Sequence, residues 1–179
     1  PLVTAMNNVG LELDFMLIEN QLYNDLTKQA FAAAKFPPTW VVLTHLPWEL
    51  ADEYPVMKQA RDIVTAKVPD ADFTDFTALG FSAWTLWAKS ATACGDNLTV
   101  ECVLDNAAKE RSWTAGGIYP EGQILTPGEQ RISNCLLLMK VTDEGFVYDR
   151  EATKPTDDIY NCDPQNVVEL TETFDEVAG

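Results

Sequence analysis

The stretch FPPTWVVLTHLP, residues 36–47, decides the fold class. Pro37 and Pro38 stop any helix arriving from upstream, because proline lacks the N–H and clashes with the preceding turn. The run from Trp40 to Leu46 is rich in β-branched and large apolar residues, which suits a buried strand. Upstream, LELDFMLIEN (11–20) alternates and then becomes continuously apolar, the pattern of a strand largely buried towards its end. Between the two, Asn24 and Asp25 offer capping oxygens for a helix through LTKQAFAAAK (26–35). Strand, helix, strand is the order of a parallel pair with a crossover helix, so the chain reads as α/β.

Helical signals continue downstream. ELADEYPVMKQARDIVTAK (49–67) predicts a helix with Pro55 near its first turn; Met57, Ala60, Val64 and Lys67 share one side and Ile63 lies beside them. FTDFTALGFSAWTLWAKSAT (73–92) predicts a stronger helix, with Phe76, Leu79, Ala83, Leu86 and Trp87 at spacings of three and four. Phe81 and Trp84 widen its apolar face, so we expect packing on two sides, with Trp84 and Trp87 in the core. LTVECVLDNAAKE (98–110) predicts a third, with Thr99 as N-cap. WTAGGIYPEGQILTPGEQ (113–130) is rich in glycine and proline and reads as loop with short strands at most. NCLLLMKVTDEGFVYDR (134–150) reads as a β-hairpin around Asp143-Glu144-Gly145. Beyond 151 the chain is acidic and sparse in apolar residues apart from Val167, Val168 and Leu170; we expect an irregular strap held by Cys162.

Composition narrows the function. The 179 residues suffice for one domain or two small lobes, and 46% apolar with 22% charged residues is globular. A formal charge of −16, from 28 acids against 12 bases, repels phosphate, which argues against nucleic acid or an anionic membrane as main partner. The bland account of that charge is the solubility of a secreted protein. The chain opens on Pro1 without a basic, apolar leader, so we expect the natural N-terminus to have been cut away. The four cysteines, Cys94, Cys102, Cys135 and Cys162, include no Cys-x-x-Cys pair, and His45 is the only histidine. Zinc and thioredoxin-type chemistry are therefore disfavoured, and two disulfides in an oxidising compartment are expected. Three pairings are open; the most local, Cys94–Cys102 with Cys135–Cys162, is preferred. In CGDNLTVEC (94–102) the spacing then makes a staple between two helices.

Catalytic signatures are scarce: there is no Gly-x-Ser-x-Gly, P-loop, Gly-x-Gly-x-x-Gly or EF-hand pattern, and no cofactor is implied. His45 closes a predicted strand, where α/β proteins hold ligands. Its bland reading is a histidine bonded at a strand–loop junction; its sharp reading is a secreted hydrolase using His45 with a nearby carboxylate. IENQLYND (18–25) is the more informative polar cluster. Glu19, and Asn20 after it, follow a strand, and Tyr23 adds an aromatic face with a hydroxyl. Such a carboxylate can neutralise an ammonium group, with the ring packed over it; the bland reading is a solvated turn. Asn97-Leu98-Thr99 matches the glycosylation sequon, a frequent pattern.

The runs GFSAWTLWAKSATACGDNLTVECVLDNAA (80–108), NCLLLMKVTDEGFVYDREAT (134–153) and YNCDPQNVVEL (160–170) together resemble the C-terminal half of actinobacterial substrate-binding proteins of ABC transporters. These belong to the periplasmic-binding-protein type 1 group, the Leu/Ile/Val-type receptors. The resemblance implies parallel-sheet lobes with crossover helices plus a C-terminal hairpin, and a ligand held between two lobes. It assigns residues 1–36 to the end of a second-lobe segment, 37–114 to the return into the first lobe, and 115–179 to the second lobe again. It places Glu19 at the ligand's α-ammonium group, Tyr23 in the adjoining loop, and His45, Pro47 and Trp48 beside the hinge. It implies an amino-acid-like ligand, a membrane permease as partner, a secreted or lipid-anchored location and no catalysis. It also implies that the N-terminal half of the first lobe, which grips the ligand carboxylate, is missing from these 179 residues. The alternative within this fold is a ligand-sensing or adhesion module outside transport.

Overall fold

Four short strands form one mixed sheet in the computed structural model, which describes residues 5, 6, 8–33 and 36–168. In spatial order they are β1 (Met16–Ile18), β2 (Thr39–Leu43), β3 (Leu137–Thr142) and β4 (Gly145–Tyr148). β1 and β2 run parallel, with Met16 opposite Thr39 and Ile18 opposite Val41. The crossover between them carries helix α1 (Asp25–Ala33). Its first turn is capped by Asn24, whose side-chain oxygen accepts the Thr27 N–H at 2.9 Å; residues 34 and 35 of the expected helix lie outside the described residues. The chain is therefore α/β, but its sheet is not all-parallel. β3 pairs antiparallel with β2, and β4 antiparallel with β3. The hairpin turns at Asp143-Glu144, and Gly145 then takes φ of 128°, a conformation that disfavours any residue with a Cβ.

β1 is shorter than its apolar run suggested. Among the described residues it is paired only with β2, and Leu17 points away from the core with most of its surface exposed. An edge strand with one face uncovered has no use for a continuous buried run. One strand comes from residues 1–36, one from 37–114 and two from 115–179, so all three stretches meet in the same sheet. Its core contains Val41, Leu43, Leu137 and Met139 of the strands, packed with Tyr23, Met57 and Ile118.

Helix α2 (Pro55–Lys67) starts at Pro55 rather than at residue 49, and Trp48–Leu50 form a separate 3-10 turn. Proline suits a helix's first position, where the N–H has no intrahelical partner. Met57 and Ala60 face the core, while Ile63 is exposed. Helix α3 (Asp75–Cys94) opens on a capping box between Thr74 and Thr77. Helix α4 (Val100–Ala108) is capped by Thr99, which accepts the Cys102 N–H at 3.1 Å.

α3 departs from the two-sided packing expected of it. It buries Asp75, Ala78, Ser82 and Ser90, whereas Trp84 is 69% exposed and Trp87 48%. The inner side faces close neighbours, including Trp113, whose Nε1 donates to Ser82 Oγ at 3.0 Å. Small residues fit there and indoles do not.

Residues 113–130 form loop, with a bridge between Trp113 and Gln123, and are tied down further where the Leu46 N–H donates to the Ile118 carbonyl and the Leu125 N–H to the Glu110 carbonyl, each at 2.9 Å. After the short helix α5 (Arg150–Thr153), capped by Asp149, an irregular strap returns to bridge Asn161 with Leu136. Leu170 lies outside the described residues. Two disulfides are formed, Cys94–Cys102 and Cys135–Cys162, the most local of the possible pairings. They close loops with sequence separations of 8 and 27. The chain-entropy relation gives about 2.5 kcal/mol for the shorter loop and about 3.5 kcal/mol for the longer. In urea denaturation, the Cys135→Ser/Cys162→Ser double variant should therefore lose more stability than Cys94→Ser/Cys102→Ser; the reverse order would show that strain or residual structure dominates.

Candidate functional site

Because β1 and β2 are parallel, their C-terminal ends lie side by side, and the segments leaving them converge on one patch. After β1 come Glu19, a 3-10 turn at Asn20–Leu22, and Tyr23. After β2 come His45, Leu46, Pro47 and the turn at Trp48–Leu50. The N-terminus of α3 completes the patch with Asp75.

His45 is fully buried and both its ring nitrogens are engaged. Nδ1 lies 2.8 Å from the Leu46 carbonyl, and since a carbonyl oxygen only accepts, Nδ1 carries a proton and donates it. Nε2 lies 3.1 Å from Asp75 Oδ1. That contact needs one proton between two groups that would otherwise both accept. Asn20 Nδ2 donates to the same Oδ1 at 3.0 Å, while Asp75 Oδ2 is buried with no hydrogen-bond partner among the described residues.

A second network adjoins the first. The Tyr23 hydroxyl accepts the Trp48 backbone N–H at 2.9 Å and donates to the Glu49 carboxylate. Burial, reinforced by the Glu49 charge, pushes the Tyr23 hydroxyl well above its ordinary range. Desolvation also raises the Glu49 carboxyl, against the opposing pull of the Tyr23 hydrogen bond and of Lys28. Lys28 Nζ sits 2.9 Å from Asp25, 4.0 Å from Glu49 and 5.4 Å from the centre of the Phe146 ring. Trp48 Nε1 donates to the Thr74 carbonyl at 3.0 Å, one residue before Asp75, which joins the two networks.

Asn20, Tyr23, His45 and Trp48 are thus brought together, but three of them face inward: Tyr23, His45 and Trp48 are all buried. Glu19 lies on the exposed side of the patch, and its side chain makes no capping bond to the turn it precedes. Tyr23, His45 and Trp48 can therefore shape and stiffen a rim, while Glu19, the half-buried Asn20 and the partly exposed Glu49 and Lys28 are the polar groups of the patch that reach solvent. His45 and Asp75 do form a histidine–carboxylate pair, yet neither ring nitrogen is free to take a proton from a nucleophile. Asp75, Glu49 and Lys28 escaped the sequence reading. Asp75 reads there as an ordinary first-turn acid of a helix, and nothing local ties it to a histidine 30 positions earlier. Among the described residues no cluster of three or more histidine, cysteine or carboxylate groups is arranged to hold a metal ion.

No protein-family model, no curated protein and no solved structure matches this chain.

The raised Glu49 carboxyl gives a pH dependence of definite sign. A carboxyl whose folded-state value lies above its unfolded value adds stability that is complete at low pH and is lost as pH rises through the folded value. From about pH 4 upward the wild type should therefore lose stability relative to Glu49→Gln, which keeps an acceptor for Tyr23 and does not ionise. Thermal melts of both proteins from acid to neutral pH check this, and a wild type that gains on the variant across that window would contradict it.

Proposed function

We propose that the chain is part of an extracytoplasmic solute-binding receptor of an ABC uptake system, of the periplasmic-binding-protein type 1 kind, and that it takes an amino-acid-like small molecule. The observation that carries this reading is the convergence of Glu19, Asn20, Tyr23, His45 and Trp48 at the paired C-terminal ends of β1 and β2. In open α/β sheets, ligands sit beyond those ends. In this reading Glu19 pairs with the ligand's ammonium group from the exposed rim. Asn20 and Glu49 flank it, and the buried Tyr23–Trp48 and His45–Asp75 contacts keep the rim in place.

The two disulfides are consistent with an oxidising, extracytoplasmic setting. No helix among the described residues is long and apolar enough to cross a membrane. The side of β1 that no strand among the described residues pairs with offers backbone donors and acceptors to further strands, which suits a companion half-lobe supplying the grip on the ligand carboxylate. Binding would then draw two lobes together about a hinge, with no covalent chemistry, and the closed form would dock on a membrane permease.

Thermal melts with a panel of amino acids, amides and small aromatic acids, on the protein with both halves of the lobe present, test the proposal. A ligand at 100 times its Kd should stabilise by about 2.7 kcal/mol. Glu19→Gln should weaken an amine-bearing ligand about tenfold or more, the size of a lost charged hydrogen bond. A panel that shifts nothing would remove the receptor reading; a shift that Glu19→Gln leaves intact would remove Glu19 from the site.

A further inference from the structure

α3 presents an outward stripe that no other described residue covers. Phe76, Gly80, Ala83, Trp84, Trp87 and Ala91 recur at spacings of three and four along it. The 20-residue helix holds only two charged residues, and neither belongs to the stripe: Asp75 is buried and Lys89 is paired with Glu110. Trp84 and Trp87 contact each other edge to face at 5.7 Å, and Trp87 continues into an apolar groove made with α4 and the loop before it. Phe76, Trp84 and Trp87 are 61%, 69% and 48% exposed, so covering them would remove roughly 300–450 Å² per copy from water, at about 150–250 Å² for a whole ring. Leu79, Leu98, Val100 and Leu104, all exposed, add to this apolar surface, and patches of such extent often mark an interaction site.

A glycine inside the stripe is unexplained by the chain's own packing. Gly80 lies mid-helix, where glycine is the poorest helix former after proline. A Cβ placed on it would meet nothing within 4 Å. No neighbour among the described residues needs the space.

We propose that this stripe is the interface of a homodimer in which α3 packs antiparallel on α3 of a second copy. A two-fold axis between Ala83 and Trp84 puts Phe76 opposite Ala91, Gly80 opposite Trp87, and Ala83 opposite Trp84. Every bulky ring meets a small residue of the other copy, and the relation is mutual, as an isologous contact requires. The space left by Gly80 receives the indole of Trp87 from the facing helix. The interface is independent of the ligand site at the strand ends.

Sedimentation equilibrium of the full 179-residue chain tests this. We expect a species of twice 19.9 kDa at tens of micromolar. Gly80→Leu should raise the dimer Kd by roughly 30-fold or more, since the same overpacking occurs twice across the axis. The monomer should melt no lower than the wild type, because the new side chain enters open space on a helix that gains propensity. Ala83→Trp, at an exposed position facing Trp84, should give the same loss of dimer. A wild type that stays monomeric would overturn the proposal and leave the stripe to a different polypeptide. So would a dimer that both variants leave intact.

Discussion

The proton held between His45 and Asp75 is the constraint on which the polar end of the sheet depends. Without it, two acceptors would face each other at 3.1 Å in a site closed to water, and breaking a buried pair of this kind typically costs about 3–5 kcal/mol. The contact joins the end of β2 to the first turn of α3, and Asn20 brings the turn after β1 to the same carboxylate oxygen. Three segments that are distant in sequence are thereby fixed at one place. The Leu46 carbonyl holds the ring from the other side, so the imidazole is fixed through both of its nitrogens.

What surrounds that contact follows from it. Trp48 Nε1 reaches the Thr74 carbonyl only because α3 starts where Asp75 is anchored. Tyr23 stands between the Trp48 backbone and Glu49 and packs on Phe146 with ring centres 4.8 Å apart, which ties the rim to the hairpin. On the other side of the sheet, Trp40 Nε1 donates to Asp149 at 2.8 Å and anchors the cap of α5. The exposed groups, Glu19 foremost, thus stand on loops whose bases are rigid, the usual arrangement for recognition by short connecting segments.

Local structure was largely legible in the sequence. The capping role of Thr99, the hairpin around residues 143–145 and the strand–helix–strand order each rest on neighbours within a few residues, which periodicity and cap chemistry report directly. Two features were not legible, for related reasons. Periodicity identifies the apolar side of α3 but not what covers it, so an aromatic stripe aimed outward reads the same as one aimed at the core. The extent of β1 depends likewise on a layer over Leu17 that its own residues do not specify. At the candidate site, the strand-end positions of Glu19, Asn20, Tyr23, His45 and Trp48 could be read from the order of elements. Their division into an exposed carboxylate and a buried frame could not, because it is set by Asp75 and Glu49, acids that an overall charge of −16 makes unremarked among 28.

His45 is the sole histidine, so its ring nitrogens are unambiguous in a ¹⁵N-edited NMR spectrum of the labelled protein. We expect Nδ1 to carry a proton held by the Leu46 carbonyl, and the Nε2 signal to move when Asp75 is replaced by Asn, because the proton it shares with the carboxylate is then lost or relocated. A Nδ1 signal of lone-pair type, or a Nε2 signal that Asp75→Asn leaves unchanged, would contradict the shared-proton contact on which the rest is built.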